Sequence, residues 1–282
     1  MSTFDPQAPI GVFDSGIGGL SVLRHIREQL PNESLWYFAD SGFAPYGDKT
    51  EEEIMQRTRY AAKYLLAQGV KAIVVACNTA TAAAIAMLRS LYPDLILVGV
   101  EPGLKPAASL SKTGCIGVLA TSRTLTSAKY QLLCQQLQQA TQLRIIHQAC
   151  PGLVNQIERG ELDSDATKQL LKTYLQPIFA SPADVIVLGC THYPFVENSI
   201  KSIAARENKG TITVLDTGLA IARQLQRLLT QQQLLNPNPV TTPVKSVTTG
   251  DPTQLEFALT QLLHLEPGQF SVPEIGCNLP PS

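Results

Sequence analysis

The chain has 282 residues, enough for two domains of ordinary size or one large one. With 44% hydrophobic and 16% charged residues and a formal net charge of -1, it reads as a soluble globular protein. That balance offers no electrostatic case for nucleic acid or an anionic membrane as partner. A small anionic substrate stays admissible, because a local set of N–H donors needs no net positive charge. No apolar run reaches the roughly 18 residues of a membrane span. Residues 1–9 carry neither a basic nor an apolar leader segment, so a cytoplasmic location is expected. Six cysteines are too sparse for a disulfide scaffold in so long a chain, and they are expected as thiols.

Ile10 to Phe13 reads as a short strand, Asp14-Ser15-Gly16-Ile17-Gly18-Gly19 as a tight turn, and Leu20 to Leu30 as a helix. A strand over Leu35–Ala39 leads through Asp40-Ser41 to the loop Pro45-Tyr46-Gly47. Thr50 and Glu53 form a T-x-x-E capping box for a helix to about Gln68, with Gly69 as its stop. Lys71 to Ala76 is an apolar strand ending in Cys77-Asn78-Thr79, followed by an Ala-rich helix and a strand over Leu95–Val100. Glu101-Pro102-Gly103 marks a boundary, after which the pattern restarts.

Cys115–Ala120 is a strand, Ser122 to about Gln139 a helix, and Leu143–Ile146 a strand. Cys150-Pro151-Gly152 opens the segment carrying Glu158, and Asp163–Phe179 is a long amphipathic helix. A second buried strand, Val185 to Gly189, delivers Cys190-Thr191-His192-Tyr193-Pro194. A helix over about 194–206, a strand Ile212–Leu215 and a helix from about Leu219 to Leu235 follow. After the break at Asn236-Pro237-Asn238-Pro239, the chain closes with strand, helix and strand. Gly276 to Ser282 reads as a frayed tail.

Strands alternating with helices imply an α/β fold with parallel sheets covered on both faces. The restart implies an internal duplication, because Gly11-Val12-Phe13-Asp14-Ser15 parallels Gly117-Val118-Leu119-Ala120-Thr121 and Cys77-Asn78-Thr79 parallels Cys190-Thr191-His192. The expected arrangement is two related halves facing each other across a cleft with a thiol on each wall.

A buried cysteine is ordinarily a small hydrophobe, and Cys115, Cys134 and Cys277 are read that way. Cys77 and Cys190 differ, since each follows the last apolar residue of a strand, where α/β sheets place their ligands. A helix starting directly after each would favour the thiolate. Cys190-x-His192 lacks the further ligands of a zinc site, so no metal is expected. A nucleophilic Cys190 activated by His192 is the stronger rival. The Asp14–Gly19 turn is not a dinucleotide fingerprint, because Ser21 stands where the third glycine belongs. Asp14 could be a helix N-cap, the commoner role, or could equally hold a substrate ammonium or accept a proton, and Glu158 reads as solvated surface.

Taken together, these segments resemble the cofactor-independent glutamate racemases. The matches are Phe13-Asp14-Ser15-Gly16-Ile17-Gly18-Gly19, Pro45-Tyr46-Gly47, Ala76-Cys77-Asn78-Thr79-Ala80 and Gly189-Cys190-Thr191-His192-Tyr193-Pro194. Weaker echoes are Gly99-Val100-Glu101-Pro102, Ala149-Cys150-Pro151 with Glu158, and Thr249-Gly250-Asp251-Pro252. The resemblance implies that Cys77 and Cys190 are the two acid/base residues, supported by Asp14, Glu158 and His192. It implies substrate binding by Asp14, Ser15, Tyr46, Gly47, Asn78, Thr79, Thr191 and His192, without pyridoxal phosphate or metal.

The family fold implied is two similar α/β domains with the active site between them. The first takes residues 1–101 and 212–282, the second 102–211. The implied activity is interconversion of L- and D-glutamate, supplying D-glutamate for peptidoglycan. Glutamate is then the partner, with no nucleic acid or membrane, and a homodimer is left open. An aspartate or hydantoin racemase, or a binding protein that has lost catalysis, are the rivals; His192-Tyr193-Pro194 favours the glutamate branch. The chain departs from the family pattern at Asp40-Ser41-Gly42-Phe43-Ala44, where Asp-Thr and a bulkier, often charged loop is more usual. Gly152 likewise replaces a usual apolar residue.

Overall fold

Apolar runs of four to six residues, too short for buried helices, recur between amphipathic stretches and pair side by side as parallel strands. The computed structural model describes residues 4–207, 212–239 and 243–273, so the expected tail and Cys277 lie outside the described residues. In chain order the elements are β1 (Ile10–Asp14), α1 (Leu20–Gln29), β2 (Leu35–Ala39), α2 (Glu51–Ala67), β3 (Ala72–Val75), α3 (Asn78–Leu91) and β4 (Ile96–Gly99). Next come α4 (Leu104–Leu110), β5 (Cys115–Ala120), α5 (Ser122–Thr126), α6 (Ala128–Thr141), β6 (Arg144–Ala149), α7 (Leu153–Glu158) and α8 (Asp165–Phe179). The last are β7 (Val185–Gly189), α9 (Glu197–Arg206), β8 (Thr213–Leu215), α10 (Gly218–Gln231), β9 (Val244–Thr248), α11 (Pro252–Leu263) and β10 (Phe270–Ser271). No helix among the described residues is long and apolar enough to cross a membrane.

Two compact units result, one from the chain up to Val100 and from Gly218 onward, the other from Glu101–Thr217. The first holds a six-stranded sheet in the order β10-β9-β2-β1-β3-β4, the second a four-stranded sheet in the order β6-β5-β7-β8. All pairings are parallel. Aligning β1 with β5 superimposes the orders β2-β1-β3-β4 and β6-β5-β7-β8 element for element. The duplication expected from the sequence is therefore visible as topology, and Cys77 and Cys190 occupy equivalent positions.

The return to the first unit comes later than the sequence reading placed it. Residues 213–215 pair with Val185, Ile186 and Val187 of β7, so they supply the second sheet's counterpart of β4. The chain leaves that unit only after Thr217.

In the first unit, Phe13, Phe38, Ile73 and Val75 pack on one side of the sheet against Ile54, Ala61 and Leu65 of α2 and Leu88 of α3. In the second, alternate residues point to opposite faces as the strand period requires. Ile116, Val118, Val185 and Val187 meet Leu104, Tyr130 and Cys134; Leu119, Ile186 and Leu188 meet Leu171, Leu175, Ile178 and Ile200. Gly117 is the narrow point of that second face, because a Cβ there would lie 2.7 Å from two carbons of Ile178. Gly117→Ala is expected to cost about 1–3 kcal/mol through overpacking, read as a lowered denaturation midpoint; an unchanged midpoint would show that α8 yields freely.

Helix ends follow local chemistry. Thr50 Oγ1 accepts from the Glu53 N–H at 3.2 Å while the Glu53 carboxylate accepts from the Thr50 N–H at 2.8 Å, completing the capping box. Gly69 adopts the left-handed stop at φ +75°. The helix expected over Ser122–Gln139 is instead two. Ser127 is extended (φ −66°, ψ 139°) and its hydroxyl accepts from the Tyr130 N–H, starting α6 afresh. The buried Lys71, ion-paired with Glu33, sits before β3 and thus at the opposite end of that strand from Cys77.

Candidate active site

Parallel strands bring all their carboxyl ends to one edge, where the following loops collect polar side chains. In the first unit that edge carries Asp14 at the end of β1, Asp40 beyond β2, Cys77 beyond β3 and Thr249 beyond β9. Cys77 is 5% exposed and is the N-cap of α3, its Sγ accepting from the Ala80 N–H at 3.4 Å. An amide donor and the positive end of a 14-residue helix both favour negative charge on that sulfur.

Ser15 Oγ lies 3.5 Å from Cys77 Sγ and also donates to Asp14 Oδ1 at 3.5 Å. Asp14 is fully buried and accepts from the Gly16 N–H at 2.9 Å. It does not cap α1, whose N-cap is Gly19 without any side-chain bond. The carboxylate is instead held beside the thiol by its own turn. Gly19 makes this possible, since a Cβ there would stand 2.6 Å from Asp14 Cβ and 3.0 Å from the Tyr37 hydroxyl. Gly19→Ala is expected to displace Asp14 and to lower turnover by about tenfold, alongside roughly 1–3 kcal/mol of lost stability. Turnover assayed well below the variant's melting temperature checks it, full activity there counting against a role for Asp14.

Asn78 and Thr79 occupy the first turn of α3, both buried. Asn78 Nδ2 finds no hydrogen-bond acceptor among the described residues. A buried donor left unpaired costs about 1–3 kcal/mol, so this amide, in the residue after Cys77, has hydrogen-bonding capacity to spare. Tyr46 is buried at the opening of a single 3₁₀ turn with the half-buried Gly47, and its hydroxyl donates to Asp40 Oδ2 at 2.5 Å. Burial, the charge and hydrogen bond of Asp40 and the nearby Cys77 hold that phenol far above its ordinary pKa, so it stays neutral.

The second unit reaches a similar end by other means. Cys190, 7% exposed, follows Gly189 at the end of β7, but no α-helix begins there. A 3₁₀ turn over Tyr193–Val196 intervenes, with Pro194 in it, and α9 starts only at Glu197. The expectation of a helix N-terminus at each thiol thus holds for Cys77 and fails for Cys190. In its place stands His192, with Nδ1 3.7 Å from Cys190 Sγ and Nε2 2.5 Å from Glu158 Oε1. Burial alone would depress the imidazolium. The hydrogen bonds to Cys190 and Glu158, with their charges, outweigh it and raise the His192 pKa well above the usual value.

Glu158 is therefore not solvated surface: its side chain is 18% exposed and ends on the histidine. Thr191 is buried between Cys190 and His192. Beneath this group Cys150 and Tyr193 are held neutral, each pushed up chiefly by burial.

Of the residues singled out in the sequence, Asp14, Ser15, Tyr46, Gly47, Asn78 and Thr79 belong to the first unit's edge, and Glu158, Cys190, Thr191 and His192 to the second's. The sequence reading missed Arg57, which forms a two-pronged ion pair with Asp40. Its signal was an arginine three residues after Ile54 and four before Ala61, on the buried face of α2. Among the described residues no three His, Cys, Asp or Glu side chains are grouped so as to hold a metal ion.

A family model described as Asp/Glu/hydantoin racemase matches residues 10–225. A glutamate racemase of Ectopseudomonas mendocina is 51% identical over 257 residues, covering 91% of this chain and 95% of that one. Among solved structures, a glutamate racemase isoform of Bacillus anthracis superimposes with a TM-score of 0.85 at 32% identity, over 98% of this chain and all of that one. The glutamate racemase of Francisella tularensis in complex with D-glutamate gives 0.81 at 29% identity, over 95% and 98% of the two chains.

Proposed function

Because this chain belongs to the Asp/Glu/hydantoin racemase family, we propose that its interconversion of L- and D-glutamate is carried by Cys77 and Cys190 acting on opposite faces of Cα. The observation behind this is the equivalence of the two sulfurs. Each stands just past the third strand of the shared four-strand order, and each has a nitrogen group against it, the Ala80 N–H at Cys77 and His192 Nδ1 at Cys190.

Racemisation removes the α-proton from one face and returns a proton to the other. A single base would have to cross the plane of the carbanion, whereas two bases on opposite walls need not move. Because the reaction runs both ways, each group must serve as base in one direction and acid in the other, a role two thiols share evenly. One sulfur enters the turnover as thiolate, the other as SH. Asp14 near Cys77, and Glu158 with His192 near Cys190, hold that proton inventory.

Enzymes of this family use no cofactor, so negative charge developing on the substrate must be met by protein donors. Ser15, Asn78, Thr79 and Thr191 are the donors we assign to the α-carboxylate, where they would stabilise an enediolate-like transition state as an oxyanion hole does. The unpaired Asn78 amide is the clearest of them. Tyr46, Gly47 and His192 complete the substrate contacts. The D-glutamate formed would supply peptidoglycan synthesis in the cytoplasm.

The test uses the purified protein and L-glutamate in heavy water. Solvent deuterium entering Cα together with decay of optical rotation is expected. Rotation that stays constant while deuterium enters would mean proton exchange on one face only, and would sink the two-thiol scheme.

A further inference from the structure

Asp40 is fully buried beyond the end of β2, and its carboxylate accepts four bonds, one for each lone-pair position. Oδ2 takes the Tyr46 hydroxyl at 2.5 Å and Arg57 Nε at 2.9 Å; Oδ1 takes Arg57 Nη2 at 2.6 Å and Thr249 Oγ1 at 2.8 Å. The donors come from three separate places, namely the turn after Pro45, helix α2 and the segment beyond β9. Phe43, 42% exposed, lays its ring on the Arg57 guanidinium with 3.6 Å from Cζ to the ring centroid, and Tyr60 stands at 4.8 Å. The Gly42 N–H donates to Thr249 Oγ1 at 3.1 Å, and a Cβ at Gly42 would strike the Thr249 carbonyl at 2.5 Å. The loop that departs from the family pattern is thus clamped from both sides.

Burying a carboxylate is unfavourable unless its partners hold it, and apolar packing would fix a loop at lower cost. What this pair secures beyond stability is the Tyr46 side chain and, through it, the turn next to Cys77. We infer that Arg57, acting through Asp40, is a positioning residue that sets where Tyr46 and Gly47 meet the substrate. The inference rests on the substrate placement proposed above. Tyr46 and Gly47 flank the bound substrate and take no part in the proton transfers. Misplacing them should weaken ground state and transition state together, raising KM with little change in kcat. Lysine at position 57 keeps the charge and loses the planar fork, so it isolates geometry from electrostatics.

The experiment compares Arg57→Lys, Thr249→Val and Phe43→Ala in the full chain, with kcat and KM for both enantiomers. Melting is followed through Trp36, the single tryptophan, buried in β2. Arg57→Lys is expected to raise KM by about tenfold and Thr249→Val by about threefold, with kcat held within about threefold. Unchanged KM in both, or a fall confined to kcat, overturns the inference. Should Arg57→Lys fail to fold by the Trp36 melt, Thr249→Val and Phe43→Ala decide by the same rule. Replacing the thiols separates this from the parent reading. If racemisation survives loss of either Cys77 or Cys190, the two-thiol scheme fails. If each loss abolishes it while KM is unchanged in both Arg57→Lys and Thr249→Val, only the positioning role fails.

Discussion

Cys77→Ser and Cys190→Ser are each expected to lower kcat for glutamate racemisation by about 10²–10⁴-fold, the range supplied by positioned acid–base groups. Serine is close in shape, so the lost property is the ability to ionise near neutral pH. Both cysteines are small and buried, 5% and 7% exposed, and neither replacement removes a large packing surface. Polarimetry in both directions is the measurement, with a melting curve to show that each variant is folded. A folded single variant that keeps more than about a tenth of wild-type turnover would show that one base suffices.

The second large effect concerns the Glu158–His192 pair. Glu158→Gln keeps the size of the side chain but gives up its charge and the charged hydrogen bond to Nε2. Hydrogen bonds to charged groups are worth about 1.5–3 kcal/mol, so turnover should fall roughly 10- to 100-fold. The pH profile gives a sharper reading. The His192 pKa is raised in the folded protein, so the imidazolium persists above its usual range, with Nδ1 3.7 Å from Cys190 Sγ. Activity that needs this pair declines as pH rises through the raised value. Removing the carboxylate lowers that value, so the alkaline limb should move toward lower pH in Glu158→Gln. Stability follows the same sign: the pair's contribution is complete below the unfolded histidine pKa and is lost as pH climbs through the folded one. An alkaline limb unmoved in the variant would detach Glu158 from the proton inventory.

Much of this architecture is legible in the chain because parallel strands buried on both faces are nearly uninterrupted apolar runs. Ala72–Val75 and Val185–Gly189 announce themselves in that way, and a polar residue directly after such a run must stand at the sheet's edge. On that ground alone the sequence puts Cys77 and Cys190 at strand tips, where the fold has them. The capping box of α2 is equally local. What the chain hides is long-range pairing. Glu158 sits 34 residues from His192 and looks like any exposed helical glutamate until the fold brings them together. Arg57 reaches Asp40 across 17 residues. The break at Ser127 was missed because its flanking helices share one apolar pattern, and a serine there serves equally well as an interior residue or a cap.

The pairing of β9 with β2 has a bearing on how the polypeptide matures. Trp36 to Ala39 lie opposite Lys245 to Thr248, so a strand made early waits for one made near the end of synthesis. The unit spanning Glu101–Thr217 is uninterrupted and has all its strands as soon as it leaves the ribosome. It can therefore acquire its native structure ahead of the unit that precedes it, inverting the usual amino-to-carboxyl order. Until Val244–Thr248 emerges, β2 is an unprotected border with bare N–H and C=O groups, open to pairing with a neighbour.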